Sequence, residues 1–134
     1  MPKHLLIVED DGADLELARL ALEVSEVRCE LSVARDGQEA LDFLRGAGEL
    51  PDLVLLDLNM PRVNGQQVIQ AIKSDETLRH IPVVVFTTSS EAWDRAAAQS
   101  AGADGYVLKP QRFEELIEAL NDLGRHWLSP IHLI

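Results

Sequence analysis

The residues able to do chemistry in this sequence stand directly behind short apolar runs. Glu9, Asp10 and Asp11 follow Leu5-Leu6-Ile7-Val8, and Asp57 follows Leu53-Val54-Leu55-Leu56. Thr87 and Thr88 follow Val83 to Phe86, and Lys109-Pro110 follows Tyr106-Val107-Leu108. Three acids behind a buried segment repel one another, whereas a hard divalent cation accepts such an oxygen-rich cluster readily. Mg²⁺ keeps several waters and usually takes one or two carboxylates plus a phosphate, which Asp10 and Asp57 would satisfy. The plainer reading is that Glu9 to Asp11 cap the helix that follows, as acids do at helix starts. Asp57, at the end of a rigid run, resembles a nucleophile. A carboxylate attacks a phosphoryl donor to give an acyl phosphate when a metal ion and a cation offset the charge. Its plainer reading is a solvated Asp opening a turn ahead of Pro61 and Gly65. Thr87 offers a hydroxyl and Lys109 an ammonium to a phosphoryl oxygen. Taken singly, the first is a β-branched strand former and the second a solvated lysine.

Convergence of these groups needs a scaffold that aligns the ends of the apolar runs. Between the runs lie stretches at helical spacing: Leu15 to Val24, about Gln38 to Leu44, Val68-Ile69-Ile72 after Gly65, Trp93-Ala96-Ala97-Ser100, and about Phe113 to Leu123. With a weaker strand at Cys29 to Ala34, five strand–helix units result. Parallel strands need crossover helices, so the pattern predicts an α/β fold, a five-stranded parallel sheet covered on both faces by five helices. Strands one, three and four read as central and strands two and five as edges. In doubly wound sheets ligands sit outside the carboxyl ends of the strands, where the reactive residues of this chain lie.

The 134 residues have the length of one domain, and 46% hydrophobic with 26% charged residues is an ordinary globular balance. With 23 acidic against 12 basic residues the net charge is −11, which disfavours a nucleic-acid backbone or an anionic membrane as partner. The single Cys29 forms no internal disulfide and no signal-peptide run opens the chain, so a cytoplasmic setting is expected. No run of about 18 apolar residues suggests a bilayer span. Cys29 and the histidines show no metal-ligand spacing.

Val8-Glu9-Asp10-Asp11, Asp57 with Met60-Pro61 and Gly65, Thr87, and Gly102-Ala103-Asp104-Gly105-Tyr106 leading to Lys109-Pro110 resemble the receiver domain of bacterial response regulators over essentially the whole chain. The resemblance implies a flavodoxin-like strand order 2-1-3-4-5 and phosphorylation of Asp57 by a sensor histidine kinase. It implies Mg²⁺ held by Glu9, Asp10, Asp57 and the backbone carbonyl of Asn59, Asp10 binding directly and Glu9 through water. It also implies that Lys109 contacts a phosphoryl oxygen ahead of a cis Pro110, and that Thr87 and Tyr106 form the switch. Tyr106 is equally readable as an amphipathic edge residue. The stretches Leu56 to Arg62, Thr77 to Pro82 and Phe86 to Ser89, with a last helix ending near Trp127-Leu128, look closest to the regulators paired with bacterial phytochrome kinases.

Residues 1–128 then form the receiver and 129–134 an apolar tail, with no output segment after the fifth helix, so the signal is expected to leave through a changed protein surface. The last helix and the tail suggest a homodimer; its rival is a tail folded back on its own domain. Two other readings compete. An aspartate-nucleophile phosphatase would carry an acid two residues after the nucleophile, where this chain has Asn59. A degenerate receiver-like binding module would lack the acceptor, the acidic pair or the lysine, all of which are retained.

Overall fold

The computed structural model describes residues 3–46, 48–58, 60 and 64–128. Five strands, β1 (Lys3–Val8), β2 (Cys29–Ala34), β3 (Leu53–Leu56), β4 (Val83–Thr87) and β5 (Gly105–Leu108), pair in parallel in the order β2-β1-β3-β4-β5. The helices α1 (Gly12–Val24), α2 (Gly37–Gly46), α3 (Gly65–Lys73) and α4 (Ala92–Ala101) make the crossovers, and α5 (Phe113–Leu123) follows β5. This is the flavodoxin-like arrangement expected from the sequence.

Because successive strand residues face opposite ways, the continuous apolar strands feed two cores at once. Leu6, Val8, Val54, Leu56, Val83 and Val85 pack with α2, α3 and Ala98 of α4 on one face. Leu5, Ile7, Leu53, Leu55, Val84 and Phe86 pack with Leu15, Ala18 and Ala21 of α1 and Leu116, Leu120 and Leu123 of α5 on the other. The outer strands β2 and β5 are only partly buried, as edges should be.

Two acids hold the amino ends of the strands. Asp52 donates its N–H to the His4 carbonyl (2.7 Å) and accepts the His4 N–H on its carboxylate (2.8 Å). Asp104 does the same to Val83, with both bonds at 2.8 Å, and its carboxylate also pairs with Lys73 at 2.8 Å.

The structure differs from the sequence expectation on α4. Trp93 is 75% exposed and Ala96 and Ser100 face solvent, while the buried position is Ala98. Small residues let α4 sit close to the sheet, so its apolar character does not mark its inner face. Beyond α5 a π-helical turn, Gly124–Leu128, carries the final helix to the expected end. A Cβ at Gly124 would meet Val27 Cγ2 at 2.7 Å, so a larger residue there would oblige Val27 to shift. The Lys109–Pro110 bond is trans, in contrast to the cis geometry implied by the resemblance. Asn59, Pro61, Arg62 and the tail 129–134 lie outside the described residues.

Candidate functional site

Parallel pairing in register brings the ends of β1 and β3 side by side: Val8 pairs with Leu56, and Asp57 donates its N–H to the Val8 carbonyl at 3.1 Å. The next residues on each strand therefore share one edge. Carboxylate oxygens of Glu9, Asp10 and Asp57 all lie within 4.8 Å of one another. Glu9 is 4% exposed, with its backbone N–H fixed by the Ala34 carbonyl at 3.0 Å, while Asp10 and Asp57 are half-buried.

Asp11 separates from this cluster. Its carboxylate accepts the N–H groups of Ala13 (2.9 Å) and Asp14 (3.0 Å), capping α1. The helix-cap reading thus holds for Asp11, and it leaves Asp10 and Glu9 free of that duty. Gly65 closes the opposite wall. A Cβ there would meet Leu58 Cα at 2.7 Å and the Asp57 carbonyl oxygen at 2.8 Å, so only glycine lets α3 start against the backbone that carries Asp57.

Lys109 enters from the end of β5, where its N–H bonds the Thr87 carbonyl at 2.7 Å. Its ammonium donates to Glu9 Oε1 at 2.5 Å and lies 3.5 Å from Asp14 Oδ2. Burial opposes the ammonium, yet the Glu9 bond and the charges of Glu9, Asp57 and Asp14 together hold the Lys109 pKa above its ordinary value. Glu9 is also raised: burial acts first, the Lys109 bond pulls it back, and the Asp57 carboxylate adds to the rise. The direction for Glu9 thus follows first from removing its carboxylate from water and then from the neighbouring Asp57 anion.

Thr87, the last residue of β4, is fully buried, and its hydroxyl oxygen accepts the Ser89 N–H at 3.3 Å. Tyr106 on the adjacent β5 donates its hydroxyl to the Ser89 carbonyl at 2.9 Å, packs against the α2/α3 core and lies under the Arg95 guanidinium, 4.8 Å from ring centre to Cζ. Tyr106 thus has the packed ring and bonded hydroxyl of an amphipathic residue on the edge strand, and that hydroxyl links it to the loop after Thr87. Ser89 also donates its hydroxyl to Asp94 Oδ2 at 2.5 Å, tying the loop after Thr87 to the first turn of α4.

Of the residues singled out from the sequence, Glu9, Asp10 and Asp57 meet directly, Lys109 joins them through Glu9, and Thr87 and Tyr106 meet through Ser89. Asp14, Asp94 and Arg95 were not legible as site residues. Each sits in the first turns of a helix following an active strand, and that position was the available signal.

These contacts describe a shallow acidic well with one ammonium at its rim and a buried hydroxyl on the neighbouring strand. All donors in the well are carboxylate oxygens, a set suited to a hard divalent ion. Among the described residues no helix is long and apolar enough to cross a membrane.

Residues 5–121 match the model of the response regulator receiver domain. The response regulator Rcp1 of a Synechocystis species is 36% identical over 98% of this chain and 93% of its own. A probable methanogenesis regulatory protein, FilR2 of Methanothrix harundinacea, is 40% identical over 96% of this chain and 85% of its own. Among solved structures, the phosphorylated cyanobacterial phytochrome response regulator RcpA superposes with a TM-score of 0.89 at 37% identity, covering 96% of each chain. The Mn²⁺-bound form of Rcp1 gives 0.85 at 36% identity, covering 99% of each.

Proposed function

The chain belongs to the response regulator receiver domain family, and from that we propose that Asp57 accepts a phosphoryl group from a sensor histidine kinase in a Mg²⁺-dependent phosphorelay. The observation that carries the assignment to these residues is the convergence of the Glu9, Asp10 and Asp57 carboxylates beside the Lys109 ammonium. Asp57 attacks the phosphorus of the donor as a carboxylate, forming the O–P bond as the bond to the donor breaks. The donor keeps the bonding electron pair. Lys109 turns from Glu9 to a phosphoryl oxygen, and Thr87 donates its hydroxyl to another.

Glu9, Asp10 and Asp57, with the backbone carbonyl of Asn59, would hold the Mg²⁺; the donor chemistry of the three acids fits it. When bound, the ion would offset part of the charge of the carboxylates and of the incoming phosphate, with Lys109 supplying a further positive charge. Movement of Thr87 toward the new group strains its contact with Ser89, and Tyr106 and α4 share that contact. The signal then leaves through the α4–β5–α5 surface as a changed affinity for another protein. Receivers are signalling proteins rather than classical enzymes; we assign to this one the self-catalysed gain and loss of its own acyl phosphate.

The likeness to RcpA and Rcp1 supports a phytochrome kinase as donor. The apolar segment 129–134, following the receiver at 1–128, supports a homodimer through α5 and that segment; removing it and measuring mass by light scattering tests this, an unchanged dimer ruling out the segment's part. The free Cys29 fits a cytoplasmic setting. Incubation with acetyl phosphate and Mg²⁺ should add one phosphoryl group by intact mass. No gain, or an equal gain in Asp57→Asn, would refute the assignment.

A further inference from the structure

We propose that Asp14, in the first turn of α1, is a positioning residue that holds the Lys109 ammonium back from the phosphoryl site; this rests on the phosphoacceptor reading above. Among the described residues the Lys109 ammonium has two ion-pair partners, Glu9 at 2.5 Å and Asp14 at 3.5 Å. Glu9 belongs to the acidic well. Asp14 does not: it stands on α1, outside the three-carboxylate cluster.

Its place is fixed by the chain around it. Asp11 caps α1 through the N–H groups of Ala13 and Asp14, which sets the first turn in rotation and height. A cavity of ≈ 210 Å³ between α1 and α5, lined by Glu9, Asp14, Phe86, Thr88, Lys109 and Pro110 among others, opens beside the lysine. Asp14 thus has room to follow the ammonium, and the ammonium has room to lean toward α1.

The consequence is competition. An incoming dianionic phosphoryl donor must recruit an ammonium already shared by two carboxylates, and Asp14, an anion added to the three of the cluster, lowers the positive potential the donor meets. A metal ion in the cluster would offset the charge of Glu9, whereas Asp14 lies outside the group of acids that could hold one. Its side chain is 40% exposed, so water screens the pair and the expected effect is modest.

The test is the initial rate of Mg²⁺-dependent phosphorylation by acetyl phosphate, followed by timed quench and intact mass, in the unmodified chain and in Asp14→Asn, Asp14→Glu and Glu16→Gln. Asp14→Asn should react about two- to five-fold faster, the range set by an exposed ion pair. Asp14→Glu should keep the original rate. Glu16→Gln, the same charge change at an exposed position of the same helix, should do so too. The advantage of Asp14→Asn should shrink at high salt, a response that a purely structural role would not give. Should the amide loosen the first turn, Asp14→Ser serves as the second neutral variant. Rates in both neutral variants equal to or below the original, or an equal gain in Glu16→Gln, overturn the inference while leaving the receiver reading intact. No phosphoryl uptake by the unmodified chain overturns both.

Discussion

Acidic residues gather at both ends of the parallel sheet, yet the two ends treat them in opposite ways. At the amino edge Asp52 and Asp104 each face backbone N–H donors, and Asp104 also faces Lys73. Every charge there is matched by a donor within 2.8 Å. At the carboxyl edge Glu9, Asp10 and Asp57 face one another, with one ammonium among them. The first arrangement stabilises the fold; the second leaves a deficit of positive charge that a cation and a phosphoryl transfer can exploit. Residue type does not decide which occurs. What decides it is whether the chain has already supplied the donors.

The contrast is open to direct attack, and the strongest blow is at the carboxyl edge. Asp10→Asn removes a carboxylate from the cluster and should weaken Mg²⁺ affinity by roughly 10–100-fold, the span seen when metal-site partners are lost; titration followed by tryptophan fluorescence or calorimetry measures it. An unchanged affinity would remove Asp10 from the cation site. At the amino edge Asp104→Ala should cost about 1–2 kcal/mol in urea unfolding, because Val83 loses a charge-assisted acceptor and Lys73 its partner. Phosphoryl uptake at Asp57 should survive that change.

Neutralisation at the carboxyl edge should act with the opposite sign. Asp57→Asn should stabilise the metal-free protein by about 0.5–2 kcal/mol, since it relieves repulsion felt by Glu9. Destabilisation by Asp57→Asn would erase the distinction between the edges. The smallest effect is in pH. With its folded pKa raised, Glu9 favours the protonated form, so its contribution to metal-free stability is present below its ordinary value and is lost as pH rises through the raised one. Cation binding must expel that proton. Mg²⁺ affinity should therefore begin to fall, as pH drops from neutrality, before the ordinary glutamate range is reached, and more steeply than in Glu9→Gln.

Much of this was legible beforehand because strand order and site share one cause. Continuous apolar runs such as Val83 to Phe86, alternating with helical stretches, fit central parallel strands, and the residues after them then emerge at one edge. The acids and Lys109 could be grouped on that ground before any distance was known. Helix faces built from small residues were harder. In α4 the buried position is Ala98 and Trp93 lies outside, because close approach rather than side-chain size sets that contact. The divided duty of Glu9, Asp10 and Asp11 was also hidden. Three adjacent acids look alike in sequence, and only the start of α1 at Gly12 assigns the capping role to Asp11. Asp14 escaped notice for a related reason: its partner arrives from β5, at the far end of the chain.

Gly65 has a practical consequence. Its N–H bonds the Leu58 carbonyl at 3.2 Å, and α3 rests against the backbone of Asp57 and Leu58. Leu58 and Gly65 are thereby held side by side. Any side chain at position 65 would push α3 away from the backbone that carries Asp57, so Gly65→Ala is expected to disturb the carboxylate cluster without altering any of its acids.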